Sequence, residues 1–267
     1  MKQYSEQYQQ RFGGIGRLYG LDAMTALANA HFAVAGIGGV GTWVAEALAR
    51  SGVGEITLID MDDICITNSN RQTHALQSTI GHSKVAVMAA RLRDINPEIV
   101  IHATEDFVDS DNVQTIIGTQ HHVVIDATDS VNAKTALIVC ARRLKKQIIT
   151  VGSAGGKRDP RCITSIDLSR TTTDPLLARV RNQLRRYYNY PRNPKRTFRV
   201  EAIYSTEQMV YPGADGTVCQ NRGDMSEGTK LDCSGGFGAS TMVTATFGMV
   251  AAARAIARYL ERAATDQ

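Results

Sequence analysis

The glycine-rich segment GIGGVG at positions 36–41 follows an apolar run, FAVA, and a second apolar run, ITLI, ends just before Asp60. This order of strand, glycine turn, helix and carboxylate predicts a nucleotide site. Gly36 and Gly38 permit a tight turn and a close approach of the backbone to phosphate, and Gly41 lets the helix pack on the sheet. The helix N-terminus offers free N–H groups, and Asp60 is placed to bind ribose hydroxyls. The pattern fits NAD as well as ATP.

The polar stretch after Asp60 favours ATP. The candidate nucleotide ligands in it are Asp62, Asn68, Arg71 and Gln72, and Lys84, Asp126 and Asp129 lie further along the chain. An enzyme that attacks the α-phosphate of ATP needs fixed Arg and Lys groups, because negative charge develops on the departing pyrophosphate. A carboxylate such as Asp129 suits Mg²⁺, which prefers oxygen ligands. The sequence therefore predicts a site for ATP and Mg²⁺.

These residues resemble the adenylating enzymes related to the ubiquitin activators, whose bacterial members serve molybdopterin and thiamin synthesis. The resemblance implies that Gly39 lies against the phosphates and that Asp60 binds the ribose. It also implies roles for the triphosphate ligands Asn68, Arg71 and Lys84 and for the metal ligand Asp129. In this family an N-terminal arginine reaches into the partner subunit's site. Arg11, in the sequence QRFGG, matches it, so the resemblance implies a homodimer with Arg11 acting in trans.

Cysteine spacing distinguishes subfamilies within this group. The activators of sulfur carriers bind structural zinc through two CxxC pairs, and this chain contains no CxxC pair, so we expect no structural zinc in a tetrahedral thiolate site. The segments RFGG at 11–14, IDMDD at 59–63, DCSGGFG at 232–238 and MVTATFG at 242–248 resemble the tRNA threonylcarbamoyladenosine dehydratases. That resemblance implies ATP-dependent cyclisation of the modified adenosine at position 37 of tRNA, in the anticodon loop, through an acyl-adenylate of the substrate carboxylate.

Two other functions remain open from the residues alone. One is adenylation of the C-terminus of a ubiquitin-like sulfur carrier, which requires a groove for a Gly-Gly tail and usually the zinc site. The other is an oxidoreductase or nucleotide-binding module that uses only the GIGGVG segment and Asp60, which leaves Arg71 and Lys84 unexplained. A cysteine desulfurase or sulfur acceptor is a further partner that the family implies, although no residue of this chain argues for it independently.

The five cysteines differ in context. Ubiquitin activators carry a catalytic cysteine in a late segment of the chain, and Cys233 and Cys219 lie in the corresponding glycine-rich part. A thiolate there could accept an activated acyl group, but cyclisation needs no enzyme nucleophile because the attacking atom belongs to the substrate. Cys233 is therefore a candidate catalytic residue without a required role. Cys65 and Cys140 lie in apolar contexts and are expected to be structural.

A strongly basic segment spans residues 157–200. Between Lys157 and Arg199 there are twelve Lys or Arg and three Asp, and the part RRYYNYPR at 185–192 interleaves basic and aromatic residues. Basic side chains neutralise phosphates, and tyrosine and arginine planes stack on unpaired bases. The segment therefore predicts tRNA contact. The alternative is a solvated, partly disordered loop with charges on helix faces.

Apolar periodicity predicts alternating elements up to residue 151. The predicted helices are 21–30, 39–51, 83–95, 111–117 and 132–145, and the strands are 32–36, 56–60, 100–103, 123–126 and 148–151. Such alternation favours a parallel sheet. We expect one α/β, Rossmann-like domain over residues 1–267, with a mainly parallel sheet, helices on both faces and a basic insertion in the C-terminal half. Gly36, Asp60 and Asp126 fall at strand ends, where these sheets bind ligands.

Composition agrees with this organisation. A chain of 267 residues with 43% hydrophobic residues can bury one large core. Scattered cysteines and the lack of a signal-peptide pattern favour the cytoplasm. Residues 235–253 carry no charge but include four Gly, four Ser or Thr, and no Leu or Ile, so we expect a glycine-rich loop and a buried helix there, with no membrane insertion.

Overall fold

The computed structural model describes residues 5–213, 216–220 and 237–265. The helices are α1 Glu6–Tyr19, α2 Leu21–Ala28, α3 Gly41–Arg50, α4 Lys84–Ile95, α5 Val113–Ile116, α6 Val131–Arg143, α7 Pro175–Tyr187 and α8 Thr241–Thr265. The strands are β1 His31–Ala35, β2 Glu55–Ile59, β3 Val100–Thr104, β4 Val123–Asp126, β5 Gln147–Val151, β6 Ile163–Asp167, β7 Glu201–Ser205, β8 Tyr211–Pro212 and β9 Val218–Cys219.

A seven-stranded sheet forms the centre of the molecule, in the order β3-β2-β1-β4-β5-β7-β6. Every neighbouring pair is parallel except β6 with β7. The first strand lies inside the sheet, so the strand order reverses beside it, between β1 and β4. In open α/β sheets that reversal places a crevice at the carboxyl ends of the strands. The predicted fold class, with a mainly parallel sheet, is confirmed.

Helices cover both faces of this sheet. One core cluster joins Phe32 and Val34 of β1 to α3, α4 and α8, and a second joins Ala33 and Ala35 to α6 and α7. The alternation of neighbouring residues between the two clusters is the two-residue period of a strand. All five residues of β1 are buried, which explains why residues 32–35 form a continuous apolar run.

Helix α1 precedes the first helix predicted from sequence. Three glycines at 13, 14 and 16 lower its intrinsic helix propensity, which conceals it in a sequence pattern. Ser5 caps the helix by accepting a hydrogen bond from the Tyr8 N–H at 3.0 Å. The buried rings of Tyr8 and Phe12 then pack against Gly52, where the Tyr8 hydroxyl donates to the Gly52 carbonyl at 2.5 Å. Tertiary packing therefore outweighs local propensity here.

The basic segment 157–200 is largely built into the fold. It contributes the antiparallel edge strand β6 and the amphipathic helix α7, which begins after the cap Asp174. The helix buries Leu177, Val180 and Leu184, while Arg179 and Arg186 are exposed on its other side. The helix-face charges of the alternative interpretation are therefore observed, but they lie on an ordered helix and not on a partly disordered loop.

The last helix, α8, packs against α3 and buries Val243, Phe247 and Ala251 in the core. This agrees with the buried helix expected after the glycine-rich loop. Within the described residues, no helix is long and apolar enough to cross a membrane.

Candidate functional site

The backbone of the glycine turn is tightly packed at the carboxyl end of β1. Gly36 has a φ of +85°, and a side chain there would meet the Ala127 carbonyl at 2.8 Å. A side chain at Gly41 would overlap the Gly36 carbonyl oxygen. No side chain caps the first turn of α3 at Val40, and the Thr42 and Trp43 N–H groups bond the Gly38 and Val40 carbonyls within the turn. The start of α3 places the positive end of the helix dipole beside the glycine turn, which favours a bound anion.

Asp60 is bonded to the turn and lies beside it. Its carboxylate accepts the Ile37 N–H at 2.6 Å and the Asp62 N–H at 2.9 Å. Burial raises the pKa of Asp60 above its usual range, although the Lys84 ammonium, 3.7 Å away, acts in the opposite direction. The carboxylate therefore links the ends of β1 and β2 at the edge of the predicted nucleotide site.

Lys84 opens helix α4 and points to the same carboxylates. Its side chain is 7% exposed and its ammonium lies 2.6 Å from the Asp62 carboxylate. Ser83 caps the helix by accepting the Ala86 N–H. The lysine is thus a nearly buried cation, held at a helix start and paired with the more exposed Asp62.

The loop after β2 brings Arg71 and Gln72 to the glycine turn. The Arg71 side chain packs on Gly39, and the Gln72 amide lies beside Gly38. Asn68 holds the loop, because its side-chain oxygen accepts the Cys65 N–H at 3.0 Å. Arg71 donates at 2.8 Å to the Thr67 carbonyl and at 3.0 Å to the Asn70 side chain. Arg71 and Gln72 therefore lie against Gly39 and Gly38 of the turn, and Asn68 fixes the loop that carries them.

Two buried polar atoms near this turn lack partners in the described part of the chain. They are the Gln72 Oε1 and the His74 Nδ1 atoms. The other His74 nitrogen bonds the Ile37 carbonyl at 3.0 Å, and burial lowers the pKa of His74 to about 4. The ring is therefore neutral and Nδ1 is an acceptor. Unpaired acceptors beside a glycine turn suit a ligand or water that donates hydrogen bonds.

Asp126 anchors the next loop from inside the protein. It is fully buried, and its carboxylate contacts the Lys134 ammonium at 3.1 Å, the Thr150 hydroxyl at 2.5 Å and the Thr128 hydroxyl at 2.7 Å. Lys134 also donates to the Val151 carbonyl at 2.6 Å. Asp129, three residues later, is exposed. The network thus fixes a short loop whose last carboxylate faces solvent.

The buried pair predicts a stability effect. Asp126→Ala should lower the free energy of unfolding by about 3–5 kcal/mol, because it leaves the buried Lys134 ammonium without its carboxylate. Urea denaturation followed by circular dichroism measures the change. Asp159→Ala is the control, since the Asp159–Arg161 pair lies at the surface and its removal, with the loss of the cap at 160–162, should lower the midpoint much less than the loss of Asp126 does. Equal effects of the two substitutions would contradict a special role for the buried pair.

Other predicted site residues lie elsewhere. Arg11 is exposed on α1, whose neighbouring Phe12 packs at Gly52, between α3 and the amino end of β2. Cys233 lies outside the described residues. Cys140 is buried as expected, and burial raises its pKa. The apolar context expected for Cys65 is wrong, because its thiol is exposed and accepts a hydrogen bond from the Thr67 hydroxyl at the start of the short helix Ile66–Asn68.

Sequence reasoning missed the residues that hold the loops. The Trp43 indole N–H donates to the Arg71 carbonyl at 3.1 Å, and the Thr241 hydroxyl donates to the Asn70 carbonyl at 2.6 Å. Lys134 and Thr150 likewise donate to the Asp126 carboxylate and hold the loop that follows it. The single tryptophan of the chain, placed two residues after Gly41, was the one available signal. The other contacts join distant parts of the sequence.

The arrangement fits an adenine nucleotide. A glycine turn that excludes side chains, an uncapped helix end and two basic groups, Arg71 and Lys84, suit phosphates. A carboxylate at the strand end suits ribose hydroxyls. The exposed Asp129 offers oxygen ligands of the kind that Mg²⁺ prefers. The site can therefore hold a nucleotide so that its electrophilic phosphorus lies beside open solvent.

Comparison with known proteins gives consistent matches. The model of the ThiF family matches residues 14–265. The chain is 49% identical over 260 residues to the tRNA threonylcarbamoyladenosine dehydratase of Escherichia coli, covering 97% of each chain. The crystal structure of that E. coli enzyme in complex with ATP has a TM-score of 0.89 at 45% identity, with 100% of both chains covered. Its complex with AMP has a TM-score of 0.88 at 46% identity, covering 99% of this chain and 100% of the other.

Proposed function

The chain belongs to the ThiF family, and we propose that it uses ATP to dehydrate N6-threonylcarbamoyladenosine in tRNA to the cyclic form. The observation that carries this function is the 49% identity to the E. coli dehydratase, which extends over 97% of both chains. The E. coli enzyme has been crystallised with ATP and with AMP. These two nucleotides are the substrate and product expected of an adenylate-forming reaction. We place the enzyme in the cytoplasm, where its tRNA substrate lies.

The reaction removes one water from the substrate in two steps. The carboxylate of the threonylcarbamoyl group attacks the α-phosphorus of ATP, and pyrophosphate leaves with its electron pair. A nearby atom of the same side chain then attacks the acyl carbon, loses its proton, closes the ring and expels AMP, which keeps the carboxylate oxygen. Arg71 and Lys84 bind the phosphates and stabilise the charge that develops on the departing pyrophosphate. Asp60 orients the nucleotide through the ribose.

Asp129 would hold Mg²⁺ against the triphosphate, where the ion would neutralise phosphate charge. Asp126 is then a positioning residue, because its carboxylate is enclosed by Lys134 and Thr150 and bonds the Thr128 hydroxyl. This assignment refines the expectation that Asp126 binds the nucleotide. Held by that network, the loop needs no reordering when the nucleotide binds.

Arg11 acts on the site of a second copy of the chain in this proposal. Its helix is attached at Gly52 and, through Ser5, at Glu98, and both contacts lie at the amino end of the sheet. The nucleotide turn lies at the carboxyl end, about 17 Å away along a five-residue strand. Arg11 therefore cannot reach the site of its own chain, and a homodimer can supply it to the other.

Mass spectrometry of tRNA nucleosides tests the function. Purified protein, ATP, Mg²⁺ and tRNA that carries threonylcarbamoyladenosine should yield a nucleoside lighter by one water, only when ATP is present. Digestion is kept mild because the cyclic product reopens in base. If no mass change occurs and ATP–pyrophosphate exchange requires a small Gly-Gly-tailed protein, the enzyme is a sulfur-carrier activator instead. The absence of CxxC pairs from the sequence already disfavours that alternative.

A groove beside α7 supports the tRNA contact. It has a volume of about 940 Å³, and its lining includes Tyr187, Tyr190, Lys195, Arg196 and Arg199. The three basic residues are exposed. The groove also contacts Arg142 and Arg143 at the end of α6, so it lies about 20 Å from Asp129, the length of that helix. A folded tRNA spans this distance, with phosphates on the cations while one nucleotide occupies the active site.

Charge reversal in the groove should weaken tRNA binding. Lys195→Glu with Arg196→Glu should reduce the slope of log affinity against log salt by about 0.7–0.9 for each phosphate that the protein no longer neutralises. Filter binding at several salt concentrations measures the slope. Arg170→Glu is the matched control, since this exposed arginine lies in the same segment outside the groove. Arg185 is avoided, because it stacks over Phe198 at 5.3 Å. Unchanged slopes would remove the groove from the tRNA interface.

A further inference from the structure

A cluster of histidines lies at the amino end of the sheet, on the far side from the nucleotide turn. His31 begins β1, Glu55 begins β2 and His102 lies in β3. His31 pairs with Glu55 across one strand boundary, and Thr57 pairs with His102 across the next. Because side chains alternate between the faces of a strand, the three side chains project from the same face.

The ligand atoms of these three residues converge. His31 Nδ1 is 3.5 Å from the Glu55 Oε1 atom, and His102 Nε2 is 2.6 Å from the same oxygen. One ligand atom from each residue lies within 4.8 Å of the others. Tetrahedral ligands of zinc stand about 3.3 Å apart, given bond lengths of about 2.0–2.1 Å. A small rotation of the half-exposed His102 ring therefore completes the geometry.

Further hydrogen bonds hold the buried ligand His31 from behind. The Gly118 N–H donates to His121 Nδ1 at 3.2 Å, so the neutral His121 ring carries its proton on Nε2, which lies 3.1 Å from the Thr57 hydroxyl. That hydroxyl is also 2.8 Å from His31 Nε2. Its oxygen has two lone pairs and can accept an N–H from both rings. His31 Nδ1 then presents its lone pair towards Glu55, as in metal sites where the second nitrogen donates outward.

The site is open to solvent on one side. Glu55 and His102 have side chains that are 37% and 50% exposed, which leaves a path from solvent and room for a water ligand.

We propose that His31, Glu55 and His102 bind one Zn²⁺ ion, with water as the fourth ligand. Two histidines and a glutamate are an established zinc donor set. The ion joins β1, β2 and the edge strand β3 at their amino ends. The site lies about 17 Å from the nucleotide turn, the length of β2, so it is separate from the proposed chemistry and stabilises the fold.

Calorimetric titration of tag-free protein with ZnCl₂ tests the site. We expect one ion per chain, a melting temperature that rises with Zn²⁺ and falls with a chelator, and tetrahedral visible bands when Co²⁺ replaces zinc. His102→Ala and Glu55→Gln should each weaken binding more than about 100-fold. Thr57→Val should weaken it about 10–100-fold, because the hydroxyl that orients the His31 ring is then missing.

His82→Ala is the matched control, because this exposed histidine lies beside the nucleotide loop, away from the cluster, and its variant should bind Zn²⁺ like the native chain. The melting temperature without metal checks that each variant folds, and His102 is exposed enough for its removal to be tolerated. The proposal is overturned if the native chain binds no stoichiometric Zn²⁺. It is also overturned if folded His102→Ala binds as tightly as His82→Ala.

Discussion

Asp129→Ala should reduce ATP-dependent cyclisation by at least about 10²–10³-fold, the size of effect seen when one group that stabilises a developing charge is removed. The side chain is exposed, and within the described residues no side chain donates to it. Its removal therefore costs little packing. Nucleoside mass spectrometry measures the activity, and thermal denaturation should show a nearly unchanged melting temperature.

Asp94→Ala provides the control for that substitution. Asp94 is an exposed carboxylate near the end of α4, at the amino end of the sheet, and its removal makes the same change in net charge. The Asp94 variant should keep native activity. Activity of Asp129→Ala close to that of Asp94→Ala would exclude Asp129 as the Mg²⁺ ligand. Partial recovery of Asp129→Ala at high Mg²⁺ concentration would support the assignment.

Arg11→Ala should lower the rate by about 10³-fold, the lower end of the range for arginines supplied in trans to phosphoryl transfer in GTPases. The residue is exposed beside Phe12, whose ring anchors α1 at Gly52. The substitution therefore leaves the anchor intact. Single-turnover cyclisation with saturating ATP isolates this effect from any change in nucleotide affinity.

Mixing two inactive variants distinguishes action in trans from a role within one chain. Arg11→Ala retains an intact nucleotide site, whereas Asp129→Ala retains the arginine. A mixed dimer has one site with both groups, so equal mixing should restore about a quarter of native activity when chains pair at random. Arg17→Ala, which changes another exposed arginine of α1, should be active by itself. A mixture no more active than its components would put the trans arrangement in doubt.

Much of the sheet was predictable because its signals are local. The strands β1, β2, β4 and β5 contain short apolar runs, and the glycine spacing after β1 predicts the turn. Helix α7 carried signals too, namely the cap Asp174 followed by Pro175 and apolar residues at 177, 180 and 184. The density of positive charge concealed this amphipathic pattern. Helix α1 was hidden by its glycines, since its stability comes from rings that pack on a distant turn.

In the candidate site, too, residues with local sequence signals were predictable and residues held by distant contacts were not. Gly36, Asp60 and Lys84 were predicted because each follows a strand or opens a helix in a recognisable order, and the structure places them around one crevice. Their roles remain predictions for the experiments above. The pairing of Lys134 with Asp126 could not be predicted, because it depends on how one helix packs against two strands. The sequence of the helix alone does not indicate the partner of its lysine.

The position of α8 has a consequence for synthesis. The helix supplies Val243, Phe247 and Ala251 to the core cluster that also contains β1 and α3, yet it is the last described element to be translated. About 90 residues separate the end of β5 from its start. At about 5–20 residues per second, a nascent chain would present that apolar surface for roughly 5–20 s. We expect ribosome-bound intermediates of this length to recruit chaperones, and chains that stop before Thr241 to aggregate.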